Sequence, residues 1–265
     1  FKMGKEFDIT SIDVPAVETP HRRIVTALPA PGSIATLETL RSLEPISMRG
    51  QPPVVWDRAE GVQVYDAHGN MWLDFSCGVL VTNAGHGTKA IRDAIRDQVD
   101  SGLIHNYCFP SEERPEPVST LIDLAPDGLE KVFLLTTGSE ATECAIKLAR
   151  THGIAKGGTE KIGIIGAERS FHGRTLASQM TGGIPGQKDW IVNLDPAIAQ
   201  VPWPAGYWTE DTSFDLFLKT LDGRGMSPDK IAGVMFETFQ GVGPDFAPVE
   251  YIRQLREWCD ANDVV

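Results

Sequence analysis

Hydrophobic and polar positions along the chain follow two different periods, and the switch between them outlines the fold. Between residues 54 and 75 they alternate. Positions 62–65 (VQVY) and 71–75 (MWLDF) read as strands, and the turn residues DAHGN at 66–70 join them, which predicts a β-hairpin. From residue 88 to 101 the period lengthens to that of a helix, with Ile91, Ala94, Ile95 and Val99 on one face. A shorter helical stretch is expected at 34–43. Beyond residue 130 short apolar runs alternate with helical ones. Strands are expected at 131–135, 161–165 and 231–236, and helices at 139–151 and 248–261. The last helix turns Tyr251, Ile252, Leu255, Trp258 and Cys259 inward, and Val264 and Val265 open a further apolar run. Strands alternating with helices imply a mostly parallel sheet covered on both faces. Pro15, Pro20, Pro29 and Pro31 break any helix in residues 1–33, which read as an extended arm lying on another surface. Residues 181–225, rich in Gly, Pro and Trp, have weak periodicity.

Composition narrows the class. The chain has 265 residues, 42% apolar and 23% charged, in the ordinary range for a globular protein. Acidic side chains outnumber basic ones 36 to 24, a net charge of −12 that argues against a nucleic-acid or anionic-membrane partner. Cys77, Cys108, Cys144 and Cys259 are scattered with no CxxC pair, which reads as free thiols in a reducing compartment and no metal framework. No apolar run approaches the length of a membrane span, and the N-terminus has no secretory pattern, so a cytoplasmic location is expected.

The segment KVFLLTTGSEATECAIKLAR at 131–150 carries the first candidate chemistry. Thr137 and Glu140 have the spacing of a capping box and start a helix there. The free N–H groups and positive dipole end at Gly138 and Ser139 form an anion site. Gly138 has no Cβ to obstruct a phosphate, and Ser139 adds a hydroxyl. A capped helix with no ligand is the other reading of this segment alone. It is neither a Walker loop nor a dinucleotide fingerprint, since GxxxxGK[ST] and GxGxxG are both absent.

Further motifs follow in order: ERSFHGRT at 168–175 and MFETFQGVG at 235–243, with GNMWLDF at 69–75 and GVLVTNAGH at 78–86 upstream. In sequence and spacing these resemble the class III aminotransferases, a fold type I family that uses pyridoxal 5'-phosphate (PLP). The resemblance runs from about residue 52 to the last residue. It implies a mostly parallel sheet flanked by helices, with residues 1–80 as an arm and hairpin of a smaller domain. Residues 81–265 would then be a large cofactor-binding domain that is incomplete at its C-terminus.

The resemblance also assigns cofactor-binding roles. Gly138 and Ser139 would hold the phosphate, Phe171 would stack on the pyridine ring, and His172 would flank it. Glu237 would lie near the ring, and Gln240 would hydrogen-bond its phenolic oxygen. Gly173 allows a close backbone approach. Arg174 reads as a carboxylate or phosphate partner, or as a surface ion pair. Tyr107 and Phe109 read either as lining the substrate entrance or as core. The sequence departs from the family pattern at Thr238, Phe239 and Val242, where Pro, a branched aliphatic and a second glutamate are usual. It departs again in HGTK at 86–89. The partners implied are an amino donor and a keto-acid acceptor, on a homodimer. Other PLP chemistry on the same scaffold (decarboxylation, epimerisation, aminomutation) stays open. So does a non-catalytic fragment. No lysine present matches the family's Schiff-base context, so that lysine and the acid facing the pyridinium nitrogen are expected beyond Val265.

Overall fold

A computed structural model describes residues 6–106, 108–242 and 245–265. The chain divides into two compact units, with the break between Leu124 and Ala125. The break was expected at 80/81. It falls later because residues after 80 are tied back to the hairpin region, with Gly61 and His86 exchanging backbone hydrogen bonds at 2.8 and 2.7 Å.

The first unit is built on an antiparallel sheet. Its strands are β1 (Val17–Glu18), β2 (Arg23–Ile24), β3 (Arg58–Glu60), β4 (Gln63–Tyr65) and β5 (Met71–Leu73), in the order β1-β2-β5-β4-β3. The predicted hairpin is β4–β5, paired Tyr65 to Met71. Its turn is closed by Asp66, whose Oδ1 accepts the N–H groups of His68 and Asn70, each at 2.9 Å. Residues 6–33, the described part of the expected arm, do not simply lie on another surface. The buried Asn70 amide accepts the Val25 N–H (2.8 Å) and donates to the Thr26 hydroxyl (2.7 Å), so β2 joins the sheet. The unit also holds α1 (Ile34–Leu43), a single helical turn α2 (Cys77–Leu80), α3 (Lys89–Asp100) and α4 (Pro115–Leu124). Ile91, Ile95 and Val99 of α3 share a face as expected, but that face is exposed.

The second unit runs α5 (Gly138–Gly157), β6 (Gly163–Ala167), α6 (Leu176–Thr181), β7 (Ile198–Val201), α7 (Phe214–Gly223), β8 (Ile231–Val234) and α8 (Val249–Ala261). The three strands form a parallel sheet in the order β7-β6-β8. Successive β6 residues point to opposite faces. Ile164 packs with Ile146 and Ala149 of α5, while Ile165 packs with Phe217 of α7 and Tyr251 and Leu255 of α8. Fully burying one such aliphatic side chain contributes roughly 1.5–3 kcal/mol. Gly153 lets α5 approach the sheet, since a Cβ there would lie 2.2 Å from the Lys161 carbonyl oxygen. Val265 exchanges backbone bonds with Ala232 and Val234, in the parallel pattern, beside β8.

Residues 131–135, expected as a strand, have no regular structure here, and Phe133, Leu134 and Leu135 are exposed. A strand exists only through its ladder, and among the described residues none pairs with this segment.

Candidate functional site

Three segments of the second unit meet around the start of α5. The first is the helix start itself. Thr137 caps α5 by accepting the Glu140 N–H at 3.1 Å, and Glu140 reaches back to the Thr137 and Thr136 N–H groups and the Thr136 hydroxyl. That hydroxyl, with the two backbone donors, holds the Glu140 carboxyl below its usual range. The box therefore consumes the donors on either side of Gly138 and Ser139. Those two N–H groups, among the described residues, keep no protein partner. The space above Gly138 is open: apart from its chain neighbours and its own helix backbone, no described atom lies within 4 Å of where a Cβ would stand.

The loop between β6 and α6 is the second segment. Its Arg174 N–H donates to the Ser139 hydroxyl oxygen at 3.2 Å. Gly173 has φ +124°, and a Cβ on it would meet Ser139 Oγ at 2.3 Å. Only glycine fits this contact, which presses the loop against the helix start. Phe171 stands at its tip, 39% exposed, so its ring is not a core residue. Arg174 is exposed, with no ion pair among the described residues.

The third segment follows β8, at the C-terminal end of a parallel strand, where ligands collect in open α/β sheets. Glu237 bridges the two loops: one oxygen accepts the Phe171 N–H at 3.3 Å and the other the Gly241 N–H at 3.2 Å. Burial pushes its carboxyl above the usual range, and those two donors act against the shift. Gln240 is completely buried and donates to the Glu168 carbonyl at 2.7 Å. Its Oε1 has no partner. The ring of His172 is half-buried, its pKa lowered by burial against a hydrogen bond to the Met235 backbone, and its Nε2 is likewise orphaned.

All six expected cofactor-binding residues thus belong to these three segments. Ser139 meets the Phe171 loop, and Phe171 meets Glu237. Gln240 differs from expectation in that its amide is spent on a backbone carbonyl. The fit to a phosphorylated aromatic ring rests on four observations: two free N–H groups at a helix start, open space above Gly138, an exposed aromatic face and unpartnered buried acceptors. Phe109 is exposed on the first unit, and Tyr107 lies outside the described residues. Sequence reasoning missed Glu143, whose carboxylate reaches the start of α6. Its signal was an acid in a helix stretch of otherwise small residues. No described helix is long and apolar enough to cross a membrane. No group of three metal-ligating side chains occurs among the described residues.

Comparison with known proteins gives a consistent picture. A family model described as aminotransferase class-III matches residues 46–265. Acetylornithine aminotransferase from Caldanaerobacter subterraneus is 31% identical over 80% of this chain and 50% of its own length. A solved (S)-enantioselective omega-transaminase from Thermomicrobium roseum superposes with a TM-score of 0.77 at 24% identity, over 89% of this chain and 56% of that one. An amine transaminase from an uncultivated Pseudomonas species, solved in a PLP-bound form, gives a TM-score of 0.74 at 22% identity over 82% and 52%. The fold is therefore the fold type I arrangement expected from the motifs. The chain spans about half the length of the curated relatives it matches.

Proposed function

Because the chain belongs to the class III aminotransferase family, we propose that it supplies the phosphate grip and one ring face of a PLP site for amino-group transfer. The transfer would run between an amine or amino acid and a keto acid. The observation that carries the reading is the convergence at Ser139: a free helix N-terminus, a glycine pressed on its hydroxyl, and a loop that presents Phe171 and is tied to Glu237. When bound, PLP supplies an electron sink for cleavage of a bond at the substrate α-carbon.

The chain's own residues bind and orient that group. Gly138 and Ser139 donate backbone N–H groups, and Ser139 its hydroxyl, to the phosphate. Phe171 offers a flat apolar face that orients the ring and excludes water from one side. Glu237 fixes the spacing of the two loops. Gln240 keeps Oε1 as an acceptor, while its Nε2 is held by Glu168.

We place the Schiff-base lysine outside this chain. In support, Lys161 donates to the Pro228 and Asn262 carbonyls and Lys188 to those of Met180 and Gly182. Lys89 and Lys156 pair with Asp93 and Asp263, and Lys147 is exposed. The reading includes a homodimer, as the family resemblance implies, and a cytoplasmic location, in keeping with four free thiols.

The test is binding of pyridoxamine phosphate against pyridoxamine. Neither carries an aldehyde, so neither condenses with surface lysines. The phosphate form is expected to bind at least about tenfold more tightly, which is ~1.4 kcal/mol. Ser139→Ala should narrow that preference. Equal affinity for both compounds sinks the reading.

A further inference from the structure

The loop that presents Phe171 is held to α5 at two places, and only one of them touches the candidate cofactor site. The first is the Arg174 N–H bond to Ser139. The second is Glu143, in the second turn of α5. Its Oε1 accepts the Thr175 hydroxyl at 2.6 Å, the Ala177 N–H at 2.9 Å and the Ser178 N–H at 3.1 Å. Ala177 and Ser178 are among the first N–H groups of α6, which have no partner inside their own helix. The N-cap residue Thr175 makes no side-chain cap bond of its own, because its hydroxyl is turned toward Glu143. A carboxylate from a neighbouring helix thus caps α6, with charge-assisted bonds and the favourable sign for a helix N-terminus.

The consequence reaches the site through Gly173. A Cβ there would meet Ser139 Oγ at 2.3 Å and Ser178 Oγ at 2.9 Å, so the loop backbone is wedged between the helix start and the first turn of α6. Ser178 is completely buried and bonded to the Thr175 carbonyl at 3.1 Å. Fixing Ala177 and Ser178 fixes one wall of the wedge, and Ser139 is the other. We propose that Glu143 is a positioning residue for the cofactor site, setting the register between the α5 anion cradle and the Phe171 loop by capping α6. This rests on the cofactor reading above. Glu143 itself spends its contacts on α6.

The test compares Glu143→Ala and Glu143→Gln with the unaltered chain, using pyridoxamine phosphate and pyridoxamine as probes and amide hydrogen exchange as an independent readout. Glu143→Gln keeps an acceptor oxygen at the Oε1 position. Glu143→Ala is expected to lose at least about tenfold in affinity for the phosphate form, which corresponds to ~1.4 kcal/mol. It should also lower the ratio of the two affinities and expose the Ala177 and Ser178 amides to exchange. A general loss of stability would not move the ratio. Glu143→Gln should stay within about threefold of the unaltered chain, under 1 kcal/mol.

Unaltered affinity in Glu143→Ala overturns the proposal, as does a loss in Glu143→Gln as large as that in Glu143→Ala. If Glu143→Ala does not fold, Glu143→Asp decides. It keeps the charge but withdraws the oxygen by one methylene, so the proposal expects a loss and is overturned by unaltered binding. An unaltered chain that binds both probes equally removes the cofactor reading and this inference with it. Preferential binding that survives every Glu143 variant removes the inference alone.

Discussion

At the scale of single residues, burial rather than charge sets the chemistry of the site. His172 and Glu237 both shift toward their neutral forms because each is partly withdrawn from water. For His172 the folded-state pKa lies below 6.5, so the unfolded chain binds the proton more readily. The stability that the neutral ring contributes is present above 6.5 and is lost as pH falls through the lowered folded value. Unfolding in urea at pH 7.5 and at pH 5.5 should therefore show a smaller acid-induced loss in His172→Phe than in the unaltered chain. Equal losses would place the acid sensitivity elsewhere. The motif spacing made Ser139, Phe171 and Glu237 legible as a group. The spending of Gln240 on the Glu168 carbonyl was not, because it depends on how two loops 72 residues apart pack.

Among the secondary-structure elements, α5 was the most readable. Its capping box, TGSE at 137–140, is a local device whose bonds close within four residues. The helix nonetheless runs to Gly157 rather than 151, since Gly153 sits in its interior as a packing residue. Alanine is the better helix former by ~1 kcal/mol. A Cβ at 153, however, would stand 2.2 Å from the Lys161 carbonyl oxygen and 2.7 Å from Ala232 Cβ. Gly153→Ala should accordingly destabilise the chain by about 1–3 kcal/mol, the usual range for overpacking, measured by chemical denaturation. A stabilised variant would show that α5 does not rest on β8 at this point.

The turn α2 illustrates the opposite case. Cys77, Gly78, Val79 and Leu80 all have positive φ, between 50° and 66°, so it winds left-handed. Such a turn costs ~1–2 kcal/mol per non-glycine residue, and nothing in CGVL announces it. It persists because Asp74 accepts the Ser76 and Gly78 N–H groups and the Ser76 hydroxyl, and pairs with His86 at 2.7 Å. Burial pushes the Asp74 carboxyl up, but these partners outweigh it and hold the pKa at about 2.

For the whole molecule, the proposal that none of this chain's lysines serves as the Schiff base sets the functional expectation. With PLP, an amino donor and a keto acid, the chain by itself should release no new keto acid above a protein-free control. Accumulation of product in a coupled assay would mean that a lysine of this chain serves the reaction. By itself the sequence determined β6, β8 and α8, the β4–β5 hairpin, the capped start of α5 and the family. Each of those is written in local spacing, turn chemistry or motif order, while β7 and α7 lie in the stretch 181–225 whose periodicity is weak. Tertiary structure alone decided that the N-terminal arm adds strands to a sheet, that residues 131–135 stay unpaired, that the break lies at Leu124, and that Glu143 caps α6. Those outcomes depend on hydrogen-bond partners dozens of residues away, and no local pattern specifies which distant donor or acceptor a group will meet.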